Sequence, residues 1–412
     1  MRKLFFLIAT FAMLFTAILP AQAATEESKT FSDIANHWAK NAILLAVQKG
    51  YVSGFPDGTF QPNKQVTRAE FIKMLVDALK LPHSQGGKPW YQPYVAAALE
   101  MGLLHKEEFA DYNANISRLE ILRLSARGLA TNKAYDAYLQ AFSGLYNGDI
   151  PYIDWKKIKT EDVPNVALVI GTGIVSGYPD FSLGVEKTAT RAEAVTMIEN
   201  LLEVQLQSPE HFRGLKELKE VAETGTNATT VTDYVKPYMN FKKDPVIAET
   251  YKYTARLNRV YVLPVEGEPS IFDRKLRWDR KNQNDDYIKQ QKALMLVSFV
   301  IKTKSSFALN SGNYSTFLYP NGLVRTSDGV PFRTAEEKFG YLSYSPVKLI
   351  ILEANKTYEI FSTSTINDSL DIYGQDYTCS VSSAYSHWKE YYQIPVFENE
   401  IKKSIIERGY GK

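Results

Sequence analysis

The sequence predicts a two-part chain. An all-α unit of repeated helical hairpins with pseudo-threefold character is expected over residues 30–204, followed by a β-rich unit, sandwich-like or α+β, over residues 231–412. Three observations lead there. A short motif recurs three times in the first half. The apolar residues around each copy fall at helical spacing. Beyond residue 230 that periodicity gives way to short runs rich in β-branched and aromatic residues.

The motif Val66-Thr67-Arg68-Ala69-Glu70 returns as Ala189-Thr190-Arg191-Ala192-Glu193, and more loosely as Ile116-Ser117-Arg118-Leu119-Glu120. The register extends upstream. Gly54 and Gly177 each precede their arginine by 14 residues, Asp57 and Asp180 by 11, Lys64 and Lys187 by 4. Trp38 to Gly50 and Trp90 to Gly102 both span 12 residues. Each repeat reads as helix, turn-rich loop, helix. In the first, His37 to Lys49 is helical and Gly50 ends it. Residues 52–60 are dense in turn formers. The second helix starts at Thr67 with a stripe of Phe71, Met74, Leu75, Ala78 and Leu79. The matching stripes are Ile121, Leu124, Gly128, Leu129 and Ala194, Met197, Ile198, Leu201, Leu202. One hairpin cannot bury its own stripe, whereas three can close around a shared core. The stretch from Ala130 to Glu161 reads as an insertion. Its Tyr135, Tyr138, Tyr146, Tyr152 and Trp155 predict packing against the unit.

All three motifs are capping boxes, the hydroxyl accepting from an early helical N–H while the glutamate reaches back to the cap. Capping does not explain the arginine. A cation in a first helical turn opposes the macrodipole by roughly 0.3–1 kcal/mol, so its loss is expected to leave stability unchanged or slightly better. Free N–H groups at a helix start, together with the planar guanidinium fork, make a carboxylate receptor. Gly54 and Gly177 would let a ligand approach the backbone. Pure capping stands as the alternative.

Arg2 and Lys3, an apolar run from Leu4 to Leu19, and Ala21-Gln22-Ala23 read as a signal peptide over residues 1–23, cleaved on export. Its removal leaves 46 basic against 46 acidic residues, a neutral balance that does not suit nucleic acid. Cys379 is the single cysteine, so no internal disulfide forms, and the five histidines lack metal-ligand spacing. No cofactor and, after cleavage, no membrane partner is expected.

Phe31-Ser32-Asp33-Ile34-x-x-His37-Trp38-Ala39, then Gly50 to Phe60 with Pro62, then Val66 to Phe71, resembles the S-layer homology (SLH) repeat nearly end to end. The second half of the third repeat matches well. The second departs in its loop, which reads His105-Lys106-Glu107-Glu108, and the third has Asp162-Val163-Pro164 where an Asp-Trp start is expected. The resemblance implies repeats at 30–85, 86–130 and, with the insertion, 131–204, forming a helical spindle at the surface of a Gram-positive-type cell wall. It implies binding of secondary cell-wall polysaccharide carrying a pyruvate ketal in grooves between repeats. By position, Arg68 and Arg191 are the main contacts and Arg118, with its altered loop, the weakest. Asp57 and Asp180 hold the loops or accept sugar hydroxyls, and Gly54 and Gly177 give the sugar room. Trp38 and Trp90 are expected in the core, with stacking on sugar as the alternative.

Residues 205–230 are expected as a helix from Ser208 to Glu223 and a linker at Gly225–Thr230. Strands are expected at 253–263, 293–303, 315–319, 340–344, 347–353 and 358–363, the last two as a hairpin, with a closing helix at 398–408. No nucleophile elbow, zinc-protease motif or P-loop occurs. The chain is therefore expected to be an anchored, non-catalytic surface protein. The alternatives are an anchored glycan-acting enzyme with its site in residues 231–412 and a lattice-forming surface-layer protein.

Overall fold

The computed structural model describes residues 31–233, 235–237, 240–243, 247–249, 253–276, 293–309, 318–321, 342–343, 350–366, 377–382 and 391–399. The expected signal peptide lies outside the described residues. The first part is helical: α1 (Lys40–Gln48), α2 (Arg68–Ala78), α3 (Gln92–Glu100), α4 (Arg118–Ala130), α5 (Lys133–Ala141), α6 (Val163–Gly171), α7 (Arg191–Gln205), α8 (Arg213–Thr224) and α9 (Ala228–Val231). No helix among the described residues is long and apolar enough to cross a membrane.

Helices α2, α4 and α7 form the centre, and their apolar stripes are buried as the spacing predicts: Phe71 and Leu75, Ile121 and Leu124, Ile198 and Leu201 are at most 1% exposed. Helix α1 packs on α7, α3 on α2 and α6 on α4. The starts of the three central helices are laced together by backbone. Val66 N–H donates to the Ala189 carbonyl at 3.1 Å, Ala189 N–H to Ile116 at 3.1 Å, and Ile116 N–H back to Val66 at 2.9 Å. These three bonds close a ring. Each helix also carries its complete capping box, with Thr67, Ser117 and Thr190 accepting from the glutamate N–H three residues on. Thr67→Ala removes one such acceptor. It is expected to cost about 1 kcal/mol of stability, read as a lower urea midpoint at unchanged slope.

Two loop anchors share one design. Asp33 accepts from the N–H groups of Phe60 and Gln61 at 2.9 and 2.7 Å. Asp154 accepts from Leu183 and Gly184, both at 2.8 Å, and from Val185 at 3.2 Å. The third hairpin therefore starts at Tyr152-Ile153-Asp154, inside the stretch expected as an insertion, and not at Asp162. The tyrosines of that stretch do pack inward, Tyr135 and Tyr152 being at most 2% exposed.

The second part is built of β1 (Val235–Pro237), β2 (Ile247–Glu249), β3 (Tyr253–Pro264), β4 (Ala293–Thr303), β5 (Phe307–Leu309), β6 (Leu318–Asn321), β7 (Leu342–Ser343), β8 (Ile350–Leu352), β9 (Thr357–Ile366), β10 (Tyr377–Ser382) and β11 (Tyr391–Asn399). One sheet runs β2-β3-β4-β9-β7, antiparallel except for the β7–β9 pair; a second runs β1-β11-β10-β6. The expected hairpin does not form. β8 pairs with β5, while β9 lies beside β4 and β7. The turn at Ala354–Asn355 is held by Thr303, whose hydroxyl donates to the Glu353 carbonyl at 2.6 Å and accepts from Lys356 N–H at 2.9 Å. Residues 398 and 399 end β11 and begin no helix; the rest of the expected closing helix lies outside the described residues.

Residues 225–230 are not a free tether. Thr226, Asn227 and Ala228 are fully buried, and Val260 N–H of β3 donates to the Gly225 carbonyl at 3.0 Å. Gly225 adopts φ +90° as the left-handed cap of α8, a conformation that suits glycine.

Candidate functional site: grooves between adjacent hairpins

Each motif arginine leaves its own helix start and reaches the loop of the next hairpin. Arg68 donates to Glu120 Oε1 at 2.6 Å and to the Asp111 carbonyl at 3.0 Å, with its guanidinium 4.8 Å from the Phe109 ring. Arg118 donates to the Leu183 carbonyl at 3.0 Å and to Glu193 Oε1 at 3.2 Å, 4.6 Å from the Tyr178 ring. Arg191 closes the cycle on the first loop. It donates to the carbonyls of Phe60 at 3.0 Å and Ser53 at 2.9 Å, and sits over Phe55 and Phe60.

The helix starts hold no free N–H groups for a ligand. Arg68, Arg118 and Arg191 donate their own N–H to Ala114, Lys187 and Lys64, and the next residues donate to Tyr112, Val185 and Pro62. The third N–H of each helix goes to the cap hydroxyl. The expected receptor thus loses its backbone half. What remains to meet a ligand is the guanidinium and its surroundings.

Those surroundings differ. Arg68 is neutralised by Glu120 and Arg118 by Glu193. Burial pushes the Glu193 carboxyl up, but hydrogen bonds from Thr190 N–H and Tyr178 and the charge of Arg118 win and hold it low. Arg191 has no ion-pair partner among the described residues, although Glu70 and Asp33 lie within electrostatic reach; burial lowers its pKa. Lys64 stands 4.9 Å from the same Phe55 ring that Arg191 faces at 5.0 Å, and it too has no ion pair among the described residues. Lys187 repeats this beside Arg118, 3.9 Å from Tyr178. Ala114 occupies the corresponding place beside Arg68. Because each arginine faces the following hairpin, the altered second loop lies against Arg68 and not against Arg118.

Asp57 and Asp180 hold loop shape. Asp57 accepts from Thr59 N–H at 3.0 Å and its hydroxyl at 2.6 Å, Asp180 from Ser182 at 2.9 and 2.7 Å, and these bonds lower both carboxyls. The space beside the two glycines is already taken. A Cβ at Gly54 would stand 2.0 Å from Phe31 Cε1, and one at Gly177 would stand 2.4 Å from Tyr152 Cε1. Gly177 also has φ +73°. Their bareness serves an aromatic of the chain itself. Trp38 and Trp90, expected in the core, are 66% and 49% exposed. Phe55 and Tyr178 were missed as site residues, although each precedes its motif arginine by 13 positions.

The S-layer homology domain family matches residues 30–72 and 151–195, stretches that contain Arg68 and Arg191; Arg118 lies between them. The second stretch begins at the Tyr152-Ile153-Asp154 anchor. The chain is similar to an amylopullulanase of Thermoanaerobacterium thermosulfurigenes, 33% identical over 190 residues, 44% of this chain and 10% of that protein. It is similar to the S-layer protein sap of Bacillus anthracis, 30% identical over 199 residues, 46% of this chain and 23% of that protein. It is also similar to exoglucanase XynX of Acetivibrio thermocellus, 31% identical over 188 residues, 43% of this chain and 17% of that protein. The matched part thus makes up less than a quarter of each of these relatives.

Proposed function

We propose, for a chain that carries S-layer homology domains, that its helical unit grips secondary cell-wall polysaccharide through a carboxylate such as a pyruvate ketal, and displays the β-rich unit at the cell surface. In this reading three repeats stand around a pseudo-threefold axis, and the ring joining Val66, Ile116 and Ala189 supports that count. The relatives with S-layer and glycan-enzyme names support an anchoring role shared by proteins with different cargoes.

The observation that carries the reading is the pair Arg191 and Lys64. Two cations flank one phenylalanine ring with no carboxylate paired to either among the described residues. A buried guanidinium without a paired carboxylate gains most from an incoming anion. The ring offers an apolar face for the body of a sugar. The groove of Arg118 with Lys187 ranks second, since Glu193 already answers its charge, and that of Arg68 third.

Folded Arg191→Ala is expected to bind wall sacculi roughly tenfold or more weakly, the loss of one charge-assisted hydrogen bond of about 1.5–3 kcal/mol. Sedimentation with sacculi at a temperature where circular dichroism shows the native fold measures this. Stripping the ketal by mild acid is expected to bring wild type down to the variant. Wild-type affinity for the folded variant sinks the anion-receptor reading. An unchanged affinity after ketal removal sinks the pyruvate assignment alone.

A further inference from the structure

Charge is buried where the helical part meets β3. Asp149, in the turn Asn147–Asp149, is fully buried and takes both prongs of Arg259: Nε to Oδ1 at 2.9 Å and Nη2 to Oδ2 at 3.2 Å. Tyr261 adds its hydroxyl to Oδ1 at 2.7 Å. Lys275, fully buried, donates to the Gly148 carbonyl. Beside this pair Glu359 of β9 accepts from Tyr146 and Ser298 and, at 2.9 Å, from Asn258. A second polar contact lies further along β3: Asn227 pairs edge-on with Val262, accepting its N–H at 2.7 Å and donating to its carbonyl at 2.9 Å. Apolar Tyr261, Leu263, Phe272, Leu294, Leu296 and Phe361 belong to the same continuous core as the repeats.

We infer that residues 144–149 and 225–228 form a docking platform that fixes the β-rich unit in one orientation on the anchor, so that the wall grip and the displayed unit move as one rigid body. An apolar contact alone tolerates sliding. A forked arginine held on a fully buried carboxylate does not, because any other orientation leaves a desolvated charge unanswered. Two separate seams, at Asp149–Arg259 and Asn227–Val262, also remove the rotation that a single contact would permit. The inference is independent of which glycan the anchor holds.

The test uses the full chain after signal removal. In the wild type, the amides of Val260 and Val262 are expected to exchange hydrogen together with those of Val66 and Ile116, by global opening. Asp149→Ala is expected to split the single thermal transition into two and to open residues 225–233 to protease, while sacculi binding persists. Lys157→Ala, which removes an exposed pair with Glu186, is expected to do neither. Exchange of Val260 and Val262 roughly a hundredfold or more faster than Val66 and Ile116 overturns the inference. So does an Asp149→Ala variant that unfolds in one transition at the wild-type temperature and resists protease. Should that variant not fold, the wild-type exchange decides alone.

Discussion

Arg118→Ala will lower the melting temperature by roughly 5–10 °C, corresponding to about 2–3 kcal/mol. The residue is 5% exposed. Its loss removes hydrogen bonds from a charged donor to the Leu183 carbonyl and Glu193, and a guanidinium packed on Tyr178. The dipole argument gives the opposite sign, since a cation at a helix start is unfavourable by roughly 0.3–1 kcal/mol. The interlock wins because its bonds are buried and the dipole term is not. Arg68→Ala will cost less, because its side chain is 22% exposed and water reaches the pair it forms with Glu120. Calorimetry on both variants orders them. Equal melting of Arg118→Ala and wild type would mean that the loops hold without the interlock.

Glu217→Gln will remove a pH dependence. Glu217 sits on α8, its side chain almost wholly enclosed, and accepts from Ser270 and, at 3.0 Å, from Asn227. Arg213 stands 3.2 Å away, and the charge of Asp273 is felt from the segment that carries Ser270. Burial outweighs the hydrogen bonds and the arginine, and raises the carboxyl to about 7. Its folded pKa thus lies above the unfolded value, so the folded state holds the proton longer. Stability is highest below the unfolded pKa and falls as pH rises from about 4.5 to about 7, with no further change above. The whole fall is at most about 3 kcal/mol at 1.36 kcal/mol per unit. Relative to wild type, the glutamine variant gains that much across the same window. Urea midpoints at pH 4.5 and 7.5 test it, and a constant difference between the two proteins would show that Glu217 titrates as it does in water.

The helical part was legible because its signals are local. A capping box, a left-handed glycine and an apolar stripe each lie within a few residues, and fixed offsets of 14, 11 and 4 positions aligned them. The third hairpin's start was missed for a physical reason. Asp154 stands 37 residues ahead of Arg191, whereas Asp33 stands 35 ahead of Arg68, and Tyr152 replaces Phe31. Backbone amides read only the carboxylate, so two extra residues and a different ring leave the anchor intact. The direction of each arginine was not legible. A motif names its own helix and says nothing of the loop it faces, and so the altered second loop, read with Arg118, lies in the structure against Arg68. The β strands at 253–263 and 293–303 were placed well by their β-branched and aromatic content, while the partner of β8 was not, because pairing depends on distant residues. Asp149 and Arg259 lie 110 positions apart, and neither carries a local sign of the other.

The ring of Val66, Ile116 and Ala189 has a topological consequence. Every member both gives and receives one bond, so the last hairpin is as much a neighbour of the first as the second is. The order in which the chain visits the three positions is then immaterial to the closed object, and any of them is a sound place to begin. Removing one member is a different matter. It cuts two of the three bonds at once and unmakes the grooves on both its sides, so a chain with two hairpins has one groove where arithmetic from three would suggest two.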